Sequence, residues 1–451
     1  MDRLLAAAGP TPQPRSAPAM DGRAVRVRPL FEAIGYFLFA LFIFFTCFTF
    51  LRPSPYDFIA MPTLLIWAGL GLRIHRAVLA IVGLLLAYTL GIALALLPYL
   101  DETLSVEWTY QFVYLVITAF FFVAFFSDDT ATRVELGLRA YLASCLFAAV
   151  CGILSYFDVL GGDIFFKMDG RASGVFEDPN LLGSFLILSA LYLIHNLVTG
   201  RARHLLTTVG ALLVLLAGIF LSFSRGSWGA TVVGLGLMLL LTWLASPSPA
   251  IRRRLARLSV LTVFAGAILV GGLLSLEGVS DRFTDRAQVT KDYDEGETGR
   301  FGNQLRGIPM LLERPMGFGP LRWRQTFSLD PHNSYLGSFA NGGWLAGFAF
   351  IGIVLTTIFV GFRLCLSPSP YQRYAQIVWP ALLMFFLQAF QIDIEKWRHV
   401  YIMLGMVWGL EAARWAWLKR SSALAQASQT LRGRPAPGLQ GWPRAATEGS
   451  S

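Results

Sequence analysis

Apolar runs of membrane-spanning length recur along almost the whole of this 451-residue chain, and they leave few folds open to it. The runs cover roughly 31–51, 57–72, 77–99, 108–126, 138–157, 179–198, 205–223, 227–245, 258–276, 336–362, 375–392 and 399–418. A helix needs about 20 apolar residues to cross a bilayer's hydrocarbon core, so the pattern predicts an all-α integral membrane protein of about twelve transmembrane helices. The run 57–72 is the shortest and the weakest candidate. Charged residues make up only 14 % of the chain. A soluble domain carries about 25 %, so a soluble enzyme is excluded.

The remaining sequence divides around this block. Residues 1–30 and 419–451 are expected to be disordered cytoplasmic tails around a polytopic domain over 31–418. Met1–Arg28 has no apolar core and does not read as a cleavable signal peptide. The long polar stretch 277–335, between the ninth and tenth runs, is expected to be one large loop with short helices. The net charge of +9 is scattered over short connections, a topology signal and not a nucleic-acid face. Arg73, Arg76, Arg133, Arg139, Arg201, Arg203, Arg252–Arg254, Arg257, Arg363 and Arg373 fall on one side with both tails, which the positive-inside rule assigns to the cytoplasm. Asp101, Glu102 and Glu107 make one opposite connection acidic.

No Asp, Glu, Lys or Arg is expected in the middle of a span, which argues against ion-coupled transport. Cys47, Cys145 and Cys151 lie in apolar runs and Cys365 in a short loop, a pattern of small buried hydrophobes without a disulfide framework or thiolate site.

The polar chemistry collects in the outward connections. In Gly170–Asn180, Asp178 can cap a helix begun by Pro179, and Arg171 would lie near the free N–H groups of that helix start. A structural turn with a capped helix explains the same residues. Arg225 stands in a tight outer hairpin with Ser222, Ser224, Gly226 and Ser227, where it reads either as a phosphate clamp or as an arginine reaching lipid headgroups. In the long loop, the acidic cluster Lys291–Glu297 misses calcium-loop spacing. Thr298 can cap an amphipathic helix with Arg300 on its first turn, whose apolar face (Leu305, Ile308, Leu311, Leu312) would lie on the membrane or on the bundle. His332, between Pro331 and Asn333, is the one histidine in a long extramembrane loop. A lone histidine is usually structural, but this one stands at the water–membrane boundary beside arginines.

Taken in order, these pieces resemble the O-antigen ligase and polymerase superfamily, bacterial polytopic membrane glycosyltransferases. The matching residues are Arg171–Asn180, Ser224-Arg225-Gly226, Arg300, Pro315–Gly319, and His332–Leu336 followed by Asn341-Gly342-Gly343. Glu177-Asp178 is more acidic than the pair many relatives carry before Pro-Asn. The resemblance implies a donor glycan on polyprenyl diphosphate, an acceptor that is a glycan or lipid A–core, no metal and no cofactor. It implies a multi-pass protein of the bacterial inner membrane, with both termini cytoplasmic and the site on the periplasmic face. It places Arg225 and Arg300, with Arg171 as a further candidate, on the diphosphate, and His332 at the acceptor hydroxyl, with Asn333 and Asn180 supporting. Chemistry agrees: arginines stabilise charge gathering on a departing diphosphate, and a neutral imidazole accepts the acceptor's proton. A polymerase joining lipid-linked repeat units would need the same grip. A transporter or lipid flippase is the alternative of another class, and it leaves the one-sided gathering of histidine and arginines unexplained.

Overall fold

The computed structural model describes residues 22–49, 53–159, 166–168, 170–246, 248–276, 278–286, 299–327 and 329–432. The described part opens with α1 (Gly22–Phe44), α2 (Pro55–Leu70), α3 (Leu79–Leu96), α4 (Thr103–Ser127) and α5 (Thr130–Tyr156). A hairpin of β1 (Phe166–Met168) and β2 (Arg171–Gly174) precedes α6 (Pro179–Phe185), α7 (Ile187–Val198), α8 (Leu205–Leu221), α9 (Arg225–Ala245) and α10 (Pro249–Leu274). Three short helices follow: α11 (Val279–Arg286), α12 (Arg300–Leu312) and α13 (Trp323–Thr326). The chain then closes with α14 (Ser334–Leu366), α15 (Gln372–Gln388) and α16 (Arg398–Arg432).

Among the described residues the fold is all-α apart from the antiparallel β1–β2 hairpin, which the apolar pattern did not predict. Among the described residues, 8 helices are long and apolar enough to cross a membrane. The other four expected runs fall on α2, α8 and α15, of 16, 17 and 17 residues, and on α16, which carries Glu411 and Arg414.

The sequence expectation of charge-free span centres therefore fails at Glu411. Its carboxylate is 2 % exposed and is held by Arg363, Arg414 (3.0 Å) and the Trp415 indole N–H. Thirteen residues separate it from the start of α16, roughly 20 Å along the helix, so it lies toward the end of the bundle away from His332. Cys365 also departs from expectation, being buried in the last turn of α14.

Among the described residues, helix extends into both segments expected to be tails, 1–30 and 419–451. α1 starts at Gly22 and α16 runs to Arg432, where Ala, Leu, Gln and Arg of the C-terminal flank favour helix. Residues 1–21 and 433–451 lie outside the described residues, as do the acidic cluster and Thr298.

Small residues set the tightest helix approaches. Gly405 and Gly409, four apart on α16, let Phe122 and Phe126 of α4 come against its backbone. Gly91 of α3 faces the Gly342 carbonyl and Ala346 backbone of α14. α14 itself is broken at Gly342 (φ −142°) and Gly343 (φ +67°). The break leaves the Ala340 carbonyl without its helical partner, and it accepts from Phe318 and Gly319 N–H at 2.8 and 3.1 Å. In return the Pro315 carbonyl accepts from Trp344 N–H at 2.8 Å. The Pro315–Gly319 and Asn341–Gly343 motifs thus lock together and seat a small second core of Leu311, Phe318, Trp323, Phe327 and Ala340. A Cβ on Gly343 would strike the Pro315 carbonyl from a left-handed backbone. Gly343→Ala is therefore expected to cost about 3 kcal/mol. It should lower the thermal midpoint in detergent, while Gly236→Ala, where nothing lies within 4 Å, leaves it unchanged.

Candidate active site

His332 occupies a turn in which its φ is +42°, a left-handed conformation uncommon outside glycine. The turn is held from three directions. The Pro331 carbonyl accepts from Gln304 Nε2 of α12 at 2.7 Å. Asn333 caps α14, its side chain accepting from Leu336 N–H at 3.1 Å, while its own N–H donates to Asp393 Oδ1 at 3.1 Å. Ser334 N–H donates to the Ala389 carbonyl at 2.7 Å, and its hydroxyl donates to the Ile392 carbonyl and accepts from Ile394 N–H. These bonds stitch the histidine turn to the segment joining α15 and α16, and they keep a strained backbone in place.

That segment supplies a partner for the imidazole. Asp393 Oδ2 stands 3.5 Å from His332 Nδ1, long for a hydrogen bond but short enough to orient and charge the ring. Asp393 holds the imidazole above its usual range through this hydrogen-bonding contact and its charge; partial burial and the Arg300 guanidinium pull the other way.

Glu395 lies two residues on and is 6 % exposed. Burial, then the Asp393 charge, pushes its carboxyl up to about 8. The folded value lies above the unfolded one, so the folded chain holds an extra proton and stability falls as pH rises from about 4.5 through about 8. Glu395→Gln is expected to flatten that fall and to raise the thermal midpoint above wild type at pH 9. An unchanged profile would place a charged carboxylate there instead.

Arg300 opens α12 directly after Gly299, which occupies the capping position foreseen for Thr298. Its Nη1 approaches the Gln391 carbonyl at 3.4 Å, and its guanidinium lies 4.8 Å from the Phe301 ring centre. Of the expected apolar face, Leu311 packs inward, whereas Leu305, Ile308 and Leu312 are exposed together with Phe301. The inward face is Asn303, Gly307 and Leu311, because Gly307 admits the Trp323 ring.

Arg225 is the first residue of α9. Ser224 caps that helix by accepting from Ser227 N–H at 3.3 Å. The Ser227 hydroxyl lies 3.0 Å from that of Ser184, which donates to Gln388 Oε1 at 2.6 Å. Gln388 is the last residue of α15, and its carbonyl accepts from Gln391 N–H at 2.7 Å. A Cβ on Gly226 would lie 4.0 Å from Gln388 Oε1. The start of α9 therefore abuts the same α15–α16 connection that His332 and Arg300 meet.

Arg171 is 8 % exposed. Its Nε donates to the Ser222 carbonyl at 2.9 Å and its Nη2 to Asn180 Oδ1 at 2.8 Å. The guanidinium ties the turn before α9 to α6, whose start is as expected: Pro179 first, with Asp178 accepting from Asn180 N–H at 2.8 Å. Asn180 also accepts from the Ser227 hydroxyl at 3.3 Å through its carbonyl.

The residues that gather this site, Gln388, Gln391, Asp393 and Glu395, were not assigned from sequence. The available signal was a pair of carboxylates two apart in a short turn after an apolar run. Burial of Ile394 between them fixes which way they face.

Residues 210–351 match the family model for O-antigen ligase. The match supports the O-antigen ligase superfamily over the stretch that holds Arg225, Arg300 and His332. The family suggests a membrane glycosyltransferase of ligase or polymerase type. No curated protein matches the chain.

Proposed function

We propose that the protein is an O-antigen ligase-like glycosyltransferase of the bacterial inner membrane. It moves a glycan from polyprenyl diphosphate to an acceptor, lipid A–core or a similar glycan, at the periplasmic face, with both termini cytoplasmic. The observation that carries this reading is that His332, Arg300 and the start of α9 all meet one connection, residues 388–393.

In this reading Asp393 engages Nδ1 of His332 and leaves Nε2 for the acceptor. Nε2 takes the proton of an acceptor hydroxyl, whose oxygen bonds to the donor's anomeric carbon. The bond from that carbon to the diphosphate breaks, and its electron pair stays on the leaving oxygen. Arg225 and Arg300 stabilise the charge collecting there. Arg171 and Asn180 act by holding the Ser222–Arg225 turn, and Asn333 by fixing the histidine turn. The exposed apolar stripe of α12 suits contact with the bilayer beside Arg300, where a lipid-borne diphosphate would arrive.

Deletion of the gene followed by glycan analysis tests this. Undecorated core with long polymer left on its carrier is the expected result. Single repeat units would make the protein a polymerase built on the same site. Unchanged glycans with altered solute uptake would overturn the reading in favour of transport.

A further inference from the structure

A cavity of about 910 Å³ adjoins the histidine turn, with Pro331, Asp393 and Glu395 in its wall. The opposite wall is one face of α4, where Leu104, Glu107, Trp108, Gln111, Tyr114 and Leu115 recur at helical spacing. Lys396 joins the two walls, its Nζ 2.9 Å from Gln111 Oε1 and 5.6 Å from the Trp108 ring centre.

Two features of this lining point to a ligand class. It is rich in aromatic side chains on separate elements: Trp108 and Tyr114 on α4, Trp323 on α13, and Trp397 before α16. The polar groups are mostly acceptors. Six carboxylates and the protonated carboxyl of Glu395 line the cavity against three cationic groups, Arg324, Lys396 and Arg398. Two of those cations are bound to lining carboxylates, Arg324 to Asp330 at 2.6 Å and Arg398 to Asp57 at 3.2 Å. Flat aromatic faces with hydroxyl-accepting oxygens suit a sugar chain, while an anionic ligand would face like charge.

We propose that this cavity seats the acceptor glycan and selects uncharged or amino sugars over anionic ones. The inference rests on the glycosyltransferase reading above and adds to it the side from which the acceptor comes. The acceptor's attacking sugar stands at the end of the cavity lined by Pro331 and Asp393, next to the histidine turn, and the sugars behind it run between α4 and the α15–α16 connection.

Binding measured without any donor tests the cavity separately from the reaction. The purified full-length protein is titrated with a neutral oligosaccharide and with a uronic-acid oligosaccharide of equal length, read by tryptophan fluorescence. The neutral chain is expected to bind roughly ten-fold more tightly. A Tyr110→Ala/Gln111→Ala variant, changed at exposed lining positions, should lose most of that affinity. Glu107→Gln/Glu177→Gln should narrow the gap between the two chains, an effect that a merely structural role would not produce. Equal or tighter binding of the anionic chain, or wild-type binding by the Tyr110/Gln111 variant, overturns the proposal even if transfer is intact. Selective binding by a protein that never transfers glycan upholds the cavity and removes the transferase reading instead.

Discussion

His332→Asn is expected to abolish glycan transfer, with turnover falling by at least about 10³-fold, while the protein still inserts and keeps its thermal midpoint. Asparagine is the informative replacement because position 332 has φ +42°. Asn tolerates the left-handed region, whereas β-branched residues would add backbone strain to the loss of the ring. The bonds that hold the turn run through the Pro331 carbonyl, the Asn333 N–H and Ser334, and none uses the imidazole. The substitution therefore removes a base from an otherwise intact frame. Wild-type transfer by purified His332→Asn would remove the base assignment outright.

The second large effect is expected at the arginines. Arg300→Ala and Arg225→Ala should each lower turnover of the lipid-diphosphate donor by about 10²-fold to 10³-fold, as loss of a fixed donor to a developing charge does. Arg→Lys at either position should recover only part of that loss, because an ammonium cannot present the planar two-pronged donor of a guanidinium. Full activity in both lysine variants would mean that charge alone suffices. Arg171→Lys should behave differently. Its guanidinium divides two N–H groups between the Ser222 carbonyl and Asn180, so its loss should loosen the turn before Arg225 and lower the thermal midpoint as well as turnover.

Much of this architecture was legible in the sequence. Helix-length apolar runs gave the all-α fold, and Asp178-Pro179 gave the capped start of α6. Arg300 on the first turn of α12 and His332 just ahead of α14 were also placed correctly. The parts that escaped depend on contacts between segments distant in sequence. Asp393 lies 61 residues beyond His332, and nothing local to either announces the pairing. Arg171 read either as an anion-binding group near a helix start or as part of a structural turn; its Nε and Nη2 bonds, to a carbonyl 51 residues away and a side chain nine residues away, could not be read from its neighbours. Glu411 stood inside a run that reads as apolar on average, where a carboxylate survives burial only because Arg363 and Arg414 surround it. Gly342-Gly343 read as a sequence motif; only the docking of Pro315–Gly319 against the break shows why glycine is needed there.

The claim at the centre is that Asp393 and Arg300 face the same imidazole, and that this imidazole must be neutral to act. The pH dependence of kcat/KM for glycan transfer tests it in three proteins. In wild type the rate should rise with pH through a His332 value held above its usual range. Asp393→Asn removes the group that raises that value most, leaving the Asp330 charge, so its acid limb should move to lower pH. Arg300→Ala removes a group that lowers it, so its acid limb should move to higher pH, at a reduced maximum. Opposite displacements are the predicted result; acid limbs that stay where wild type has them, or that move in the same direction, would contradict the account.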